Sequence, residues 1–195
     1  MKLGVAYNLF DGEELLEYSI KSIRKNVDFI CVVWQKISNH GEACNPEVPA
    51  LLDRLVAEGL VDKLYLYEPN IKNTGGQNAS MNETEKRNIG LELCREALCS
   101  HHLTIDTDEF YSDEEMRFMK TVMEIGDYGT GYCQHRQYYK DSIYQVKYPE
   151  RQYVATIEKI SPETKYVYAI PCVVGIDPTR KTNNVKEKTS AEVIY

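Results

Sequence analysis

No apolar stretch in this chain approaches the roughly 18 consecutive residues that a membrane-spanning helix needs, so no membrane span is expected. The opening segment Met1-Lys2-Leu3-Gly4-Val5-Ala6-Tyr7 turns polar at Asn8, too soon for the apolar region of a secretory signal, and a cytoplasmic location is the expectation. A basic excess is missing as well. The formal net charge is −7, which argues against sequence-independent nucleic-acid binding, since that needs a basic face. A phosphorylated small ligand stays open, on condition that a metal or a few local Lys and Arg neutralise it. The six cysteines include no C-x-x-C pair. Cys31 and Cys172 fall inside apolar strand-like runs, where a free thiol behaves as a small hydrophobe. Cys94, Cys99, His101 and His102 match no common zinc spacing, so all six cysteines read as reduced thiols. Internal repeats and low-complexity segments are also absent.

What is present is a regular alternation of strand and helix signals. The 195 residues suit one domain with one sizeable core. Leu3 to Tyr7 reads as a strand. Asp11 with Glu14 offers a capping box, and Leu16, Ile20, Ile23 and Val27 follow at helical spacing. Phe29 to Trp34 is apolar throughout, as in a strand buried on both faces. Pro49 to Glu58 is a second helix, with Gly59 at its C-cap, and Lys63 to Tyr67 a third strand. The polar run Asn70 to Ser80 reads as a loop, and Asn82 with Glu85 as the capping box of a helix that carries Ile89, Leu93 and Ala97. His102 to Ile105 is a fourth strand. A helix with Met116, Met119, Val122 and Met123 comes after Ser112.

The order β-α-β-α-β-α-β argues for right-handed crossovers and a parallel sheet. From Tyr128 to Tyr168 the Tyr, Gln and Val content predicts antiparallel hairpins. The fold class expected is therefore α/β: a Rossmann-like three-layer α/β/α sandwich, its central sheet mostly parallel, with antiparallel strands in the C-terminal half. Residues 1–195 form a single domain in this reading, 1–110 holding the ligand-binding half. The strand-like ending Ala191 to Tyr195 leaves the expectation that the natural chain continues.

The stretch richest in chemistry is Ile105-Asp106-Thr107-Asp108-Glu109-Phe110. In an extended chain residues two apart face one side, so Asp106 and Asp108 would present their carboxylates to a common point. The preceding strand would deliver them to the carboxyl edge of the sheet, where ligands of open α/β folds bind. Such a pair suits a hard divalent cation, Mg²⁺ or Mn²⁺. The plainer alternative is a set of acids placed ahead of a helix for its dipole. Lys86, Arg87 and Asn88 lie earlier; Arg87 could hold a phosphate or orient an aspartate, and otherwise belongs to a solvated basic face.

Three segments resemble the family 2 glycosyltransferases, which have the nucleotide-diphospho-sugar transferase fold called GT-A. They are Val5-Ala6-Tyr7-Asn8 with Glu13, Glu14 and Leu15, then Arg87-Asn88-Ile89-Gly90-Leu91 as an "RN-x-G" helix, and Ile105 to Glu109 as a D-x-D strand end. The resemblance implies a nucleotide-diphosphate sugar donor, a UDP-sugar foremost, and Mn²⁺ or Mg²⁺. It implies that Ala6, Tyr7 and Asn8 line the nucleotide pocket and that Asp108 binds the metal. Asp106 would support the ribose or the metal, with Arg87 beside them. Family members usually end the second strand with an aspartate on the base; here Val32-Val33-Trp34-Gln35 stands instead, with Gln35 able to hydrogen-bond a base and Trp34 to stack on one.

The acceptor is expected to be a saccharide or another hydroxyl compound, met by residues 111–195. Inverting members use a carboxylate base, for which Asp141, Glu150 and Asp177 are candidates by chemistry alone. Arg180 and Lys181 after Asp177-Pro178-Thr179 could close over a diphosphate, or be solvated charges after a turn. The tyrosines from Tyr138 to Tyr153 could wall the acceptor site or fill a sheet core. Three competing readings share parts of this pattern: a nucleotidyltransferase, which would want a Gly-rich basic signature after the first strand; a haloacid-dehalogenase-type phosphatase, which would want Thr or Val where Phe110 stands; and a binding module that has lost catalysis.

Overall fold

A computed structural model describes residues 1–71, 76–134, 136–138, 144–145, 153–168 and 179–184 of the protein. The first four strands are β1 (Leu3–Leu9), β2 (Phe29–Trp34), β3 (Lys63–Leu66) and β4 (His101–Asp106), joined by helices α1 (Glu13–Ile23), α2 (Val48–Ala57) and α3 (Gly76–Glu96). Helix α4 (Asp113–Gly126) leads to β5 (Thr130–Gln134) and β6 (Tyr153–Lys159). One six-stranded sheet runs in the order β3-β2-β1-β4-β6-β5. β1 pairs in parallel with β2 and β4, and β2 with β3. β6 lies antiparallel to both β4 and β5. The expected α/β class with a mostly parallel sheet is the one observed. The hairpin expectation is refined: among the described strands β6 alone is reversed, and β5 runs with β1 to β4.

Alternation along the parallel strands sorts the side chains into two layers. Leu3, Val5, Tyr7 and Leu9 of β1 join Leu16 and Ile20 of α1, Leu52 of α2 and Met116 of α4 in one core cluster. Ala6, Cys31 and Val33 face the other way, against Leu93 and Cys94 of α3. Strands buried on both faces by right-handed crossovers produce this division. No helix among the described residues is long and apolar enough to cross a membrane.

Helix α3 lies unusually close to the sheet. A Cβ on Gly90 would stand 2.4 Å from the Ala6 Cβ. Only hydrogen fits there, so Gly90 sets the helix–sheet spacing through small size rather than through backbone freedom. Elsewhere local signals shift. Gly12, with φ 78°, is the N-cap of α1. Asp11 instead accepts a hydrogen bond from the Gly12 N–H at 3.0 Å, so the predicted capping box is corrected by one residue. Gly59 takes φ 71° just past α2, as expected. Helix α3 begins at Gly76 rather than Asn82. Asn82 is then an interior residue whose amide accepts from Tyr67 Oη at 3.1 Å and donates to Asn39 at 3.0 Å. Ser112 caps α4 by accepting from the Glu115 N–H at 3.2 Å.

Replacing Gly90 with Ala should cost about 1–3 kcal/mol through overpacking against Ala6. Urea denaturation of the two proteins measures it, and equal stabilities would show that α3 can shift away freely.

Candidate functional site

The parallel strands β1 and β4 end side by side, with Asn8 in register with Asp106. An open cleft of about 640 Å³ lies at this carboxyl edge, lined among others by Asn8, Lys86, Arg87, Asp106, Asp108 and Thr179. Its size is within the usual range for a small-molecule site. The turns that follow the two strands brace each other: Thr107 Oγ1 donates to the Asp11 carbonyl at 3.2 Å. A Cβ on Gly12 would fall 2.5 Å from that hydroxyl, so glycine at this left-handed position serves both the turn and the contact.

Arg87, from α3, reaches across to β4. Its Nη1 donates to Thr104 Oγ1 at 2.9 Å and its Nη2 to Asp106 Oδ1 at 3.4 Å, while Nε donates to Thr179 Oγ1 at 3.1 Å. Arg180 approaches from the opposite direction. Its Nη2 donates to Asp106 Oδ2, and it grips Glu109 through Nη2 to Oε1 at 2.5 Å and Nη1 to Oε2 at 3.1 Å. Both guanidinium groups are 3% exposed as side chains. Desolvation acts to raise the Asp106 carboxyl, but the charges of Arg87 and Arg180 outweigh it and bring the group down to about 2. Lys86 is equally buried and pairs with Glu83 at 2.7 Å.

The two aspartates do not converge as strand alternation predicts. β4 stops at Asp106, and Thr107 and Asp108 form a turn closed by the Glu109 N–H donating to the Asp106 carbonyl at 3.2 Å. The same-face rule holds only for extended chain. Both aspartates line the cleft, in different roles: Asp106 is held by arginines, and Asp108 is exposed with no hydrogen bond or ion pair among the described residues. No group of three or more His, Cys, Asp and Glu placed to hold a metal is found among the described residues.

The other expected pocket residues divide. Asn8 lines the cleft, 8% exposed, and neither atom of its amide has a partner among the described residues. The Ala6 and Tyr7 side chains are corrected: both are 0% exposed. Ala6 lies under Gly90, and Tyr7 points into the opposite core, its hydroxyl 2.9 Å from Ser19 Oγ. Ser19 in turn donates to the Glu109 carbonyl at 2.5 Å, so Tyr7 supports the chain after the aspartates from beneath. Trp34 sits in that same core and is not among the residues that line the cleft. Gln35 is 1% exposed and lies outside the cleft lining. Asp141, Glu150 and Asp177 lie outside the described residues. Tyr132 and Tyr166 are core residues, whereas Tyr138 and Tyr144 are exposed.

Sequence reasoning missed the supporting roles of three residues. Asn88 fastens the chain near Tyr166 by a reciprocal pair, donating to its carbonyl at 3.0 Å and accepting from its N–H at 2.8 Å. Glu158, 1% exposed, accepts through Oε2 from Thr130 at 2.8 Å, Thr182 at 2.9 Å and Asn184 at 3.3 Å. It thereby docks the segment that carries Arg180. His102, its cross-strand neighbour, packs edge-on against Tyr166 at 5.7 Å between ring centroids. The Asn88 signal was present, since an amide beside a buried arginine on an amphipathic helix must find partners. Glu158 and His102 carry no local signal.

Comparison with known proteins gives distant structural likeness only. No protein-family model matches the chain, and no curated protein does. The S. aureus TarS structure superposes at TM-score 0.49 with 14% identity, over 78% of this chain and 24% of that one. TarS 1–349 in complex with UDP-GlcNAc gives TM-score 0.48 and 12% identity, over 78% of this chain and 38% of that one. The 4-diphosphocytidyl-2C-methyl-D-erythritol synthase structure gives TM-score 0.44 and 13% identity, over 82% and 74%. The chain thus spans about a quarter of the length of TarS. What those proteins bind is a property of theirs, and the site of this chain stands on its own residues.

Glu158 and His102 titrate in opposite senses. Burial pushes the Glu158 carboxyl up to about 7, against the pull of its three donors. Burial, with the charges of Arg87 and Arg95, pushes the His102 imidazole down to about 3. For Glu158 the folded value exceeds the ordinary 4.5, so the ionised form costs stability above pH 7 and the cost is relieved as pH falls towards 4.5. For His102 the folded value lies below the ordinary 6.5, so its cost grows as pH falls from 6.5 towards 3. Comparing Glu158→Gln with the parent cancels the histidine. The variant should be relatively more stable at pH 8, and the difference should shrink by up to about 3 kcal/mol by pH 4.5. A difference flat with pH, by urea denaturation, would argue against a buried carboxylate.

Proposed function

We propose that the protein is a metal-assisted glycosyltransferase of the hexosyltransferase type. It would move a sugar from a nucleotide-diphosphate donor, a UDP-sugar first among the candidates, to a hydroxyl of a saccharide or other acceptor. One observation carries the reading. Arg87 of the RN-x-G helix meets Asp106 of the D-x-D strand end, 19 positions away, in a cleft at the carboxyl edge of two parallel strands. Two segments picked out separately in the sequence thus form one site.

The residues present fit a hard divalent cation. Five carboxylates (Asp11, Glu14, Glu83, Asp106, Asp108) and two cations (Lys86, Arg87) line the cleft. A diphosphate entering alone would be repelled, and an added cation removes that repulsion. Mg²⁺ and Mn²⁺ sites typically use one or two carboxylates, completed by phosphate oxygens and water. Asp108, exposed and without a partner among the described residues, would be the chain's ligand. When bound, the cation supplies Lewis-acid stabilisation of the departing diphosphate.

The chain's own groups do the rest. Lys86 and Arg87, fixed on one turn of α3, line the cleft and would meet the phosphates. Thr104, Asp106 and Thr179 hold the Arg87 fork in place, so its orientation is set before the ligand arrives. The Asn8 amide, with donor and acceptor both unspent among the described residues, would hydrogen-bond the donor nucleotide.

A thermal-shift series tests the reading. UDP or a UDP-sugar with Mn²⁺ should raise Tm by several degrees, and either component alone should do so by much less, since stabilisation follows ligand occupancy. Asp108→Asn should abolish the metal-dependent part, and Arg87→Ala most of the response. A panel of nucleoside diphosphates that leaves the parent protein unshifted, with and without Mn²⁺, would defeat the proposal.

A further inference from the structure

We propose that Cys94 and Cys99 form a redox-modified site: a thiol pair across the C-terminal turn of α3 that small-molecule disulfides convert reversibly to a disulfide. The pair lies against Gly4, near the start of β1. The cleft lies at the opposite edge of the sheet, beyond Asn8, so the proposal stands or falls independently of the proposed function.

Helix α3 ends in a Schellman turn. Leu98 takes φ 58°, its N–H donates to the Arg95 carbonyl at 2.9 Å, and the Cys99 N–H donates to the Cys94 carbonyl at 3.0 Å. Such a turn folds the chain back, so that a side chain just past the helix meets one from its last turn, and that contact is ordinarily apolar. Here both positions hold cysteine. A Cβ on Gly4 would stand 2.6 Å from Cys94 Sγ and 2.9 Å from Cys99 Sγ. The two sulfurs thus share the hollow that the missing Gly4 side chain leaves. From there, rotation about the two Cα–Cβ bonds leads to the ~2.05 Å bond of a disulfide.

The surroundings set the order of steps. Cys31 of β2 belongs to the same buried cluster, and His102 Nδ1 lies 3.3 Å from Cys94 Sγ. Cys31 and Cys94 are 0% exposed, whereas Cys99 is 6% exposed, so an oxidant meets Cys99 first. The Cys99 thiolate attacks one sulfur of the small disulfide, whose other sulfur leaves as a thiolate. The Cys94 thiolate then attacks the Cys99 sulfur of the mixed disulfide and expels the second small thiolate. The two protons shed by the cysteines end on the two small thiols, so the small disulfide is the whole oxidant. The Cys31 thiol and burial push Cys94 up, and burial pushes Cys99 up to about 11. Only the thiolate attacks, so the exchange is slow at neutral pH and quickens in alkali.

Peptide mapping tests this on the folded protein. It is incubated with oxidised glutathione at about pH 8.5, where thiolate is less scarce, until the half-buried Cys44 or Cys133 carries glutathione. It is then alkylated and cut with trypsin without reduction. Trypsin cleaves after Arg95, between the two cysteines. The expected product is the peptide Asn88–Arg95 joined to the peptide Glu96–Arg117, and dithiothreitol should separate them. Cys31→Ala should leave this link in place, and Cys99→Ala should abolish it. Recovery of both peptides alkylated and unlinked overturns the proposal, as does Cys94 joined to Cys31 in the parent. The parent result decides by itself if either variant fails to fold.

Discussion

The Asp106 carboxylate, caught between two buried guanidinium groups, is the interaction on which the site depends. Arg87 comes from the helix on one face of the sheet, and Arg180 from a segment beyond the last strand. Two positive charges removed from water are sustained only if carboxylates and hydroxyls meet them. Removing one partner of such a set commonly costs 3–5 kcal/mol. The positions of α3, of the β4 end and of residues 179–184 are therefore not independent. Each is held by the same charge balance.

Around that node the supports are mostly uncharged. Gly90 lets α3 descend onto Ala6, which brings Arg87 within reach of Thr104. Asn88, one position along, spends its amide on the backbone at Tyr166. The three letters of the RN-x-G segment thus do three jobs: a charge for the strand end, an amide for the C-terminal segment, and an absence of side chain for the sheet. From the other core, Tyr7 and Ser19 reach the Glu109 carbonyl. The cleft floor is braced from both layers.

How far this could be read from sequence follows from which signals are local. Strand and helix order was legible because Leu16, Ile20 and Ile23, or Leu52 and Leu55, repeat at helical spacing beside continuous apolar strands. The start of α3 was not, since the polar run at Asn70 to Ser80 has the composition of a loop, and Asn82 imitates a cap while serving as a buried amide. The role of Tyr7 was misread although its parity with Leu3, Val5 and Leu9 places it on the core face. Asp106 and Asp108 both line the cleft, but their relation depended on where the strand stopped, which alternation cannot supply. Arg180 looked like one of two solvated charges; its burial comes from Glu158 and Asn184, contacts invisible to any window of sequence.

The docking of Arg180 also bears on the order of assembly. The strand–helix units up to β4, the pairing of β1 with β4 included, are built entirely from residues that precede Thr107. The contact from Arg180 to Asp106 spans 74 residues, and it needs β5 and β6 in place first, because Thr130 and Glu158 anchor the segment. During synthesis from the N-terminus, the scaffold can therefore form while its acidic edge is still uncovered. Charge balance at that edge is completed only by the last part of the chain to emerge among the described residues, which makes the cleft a late checkpoint of correct folding.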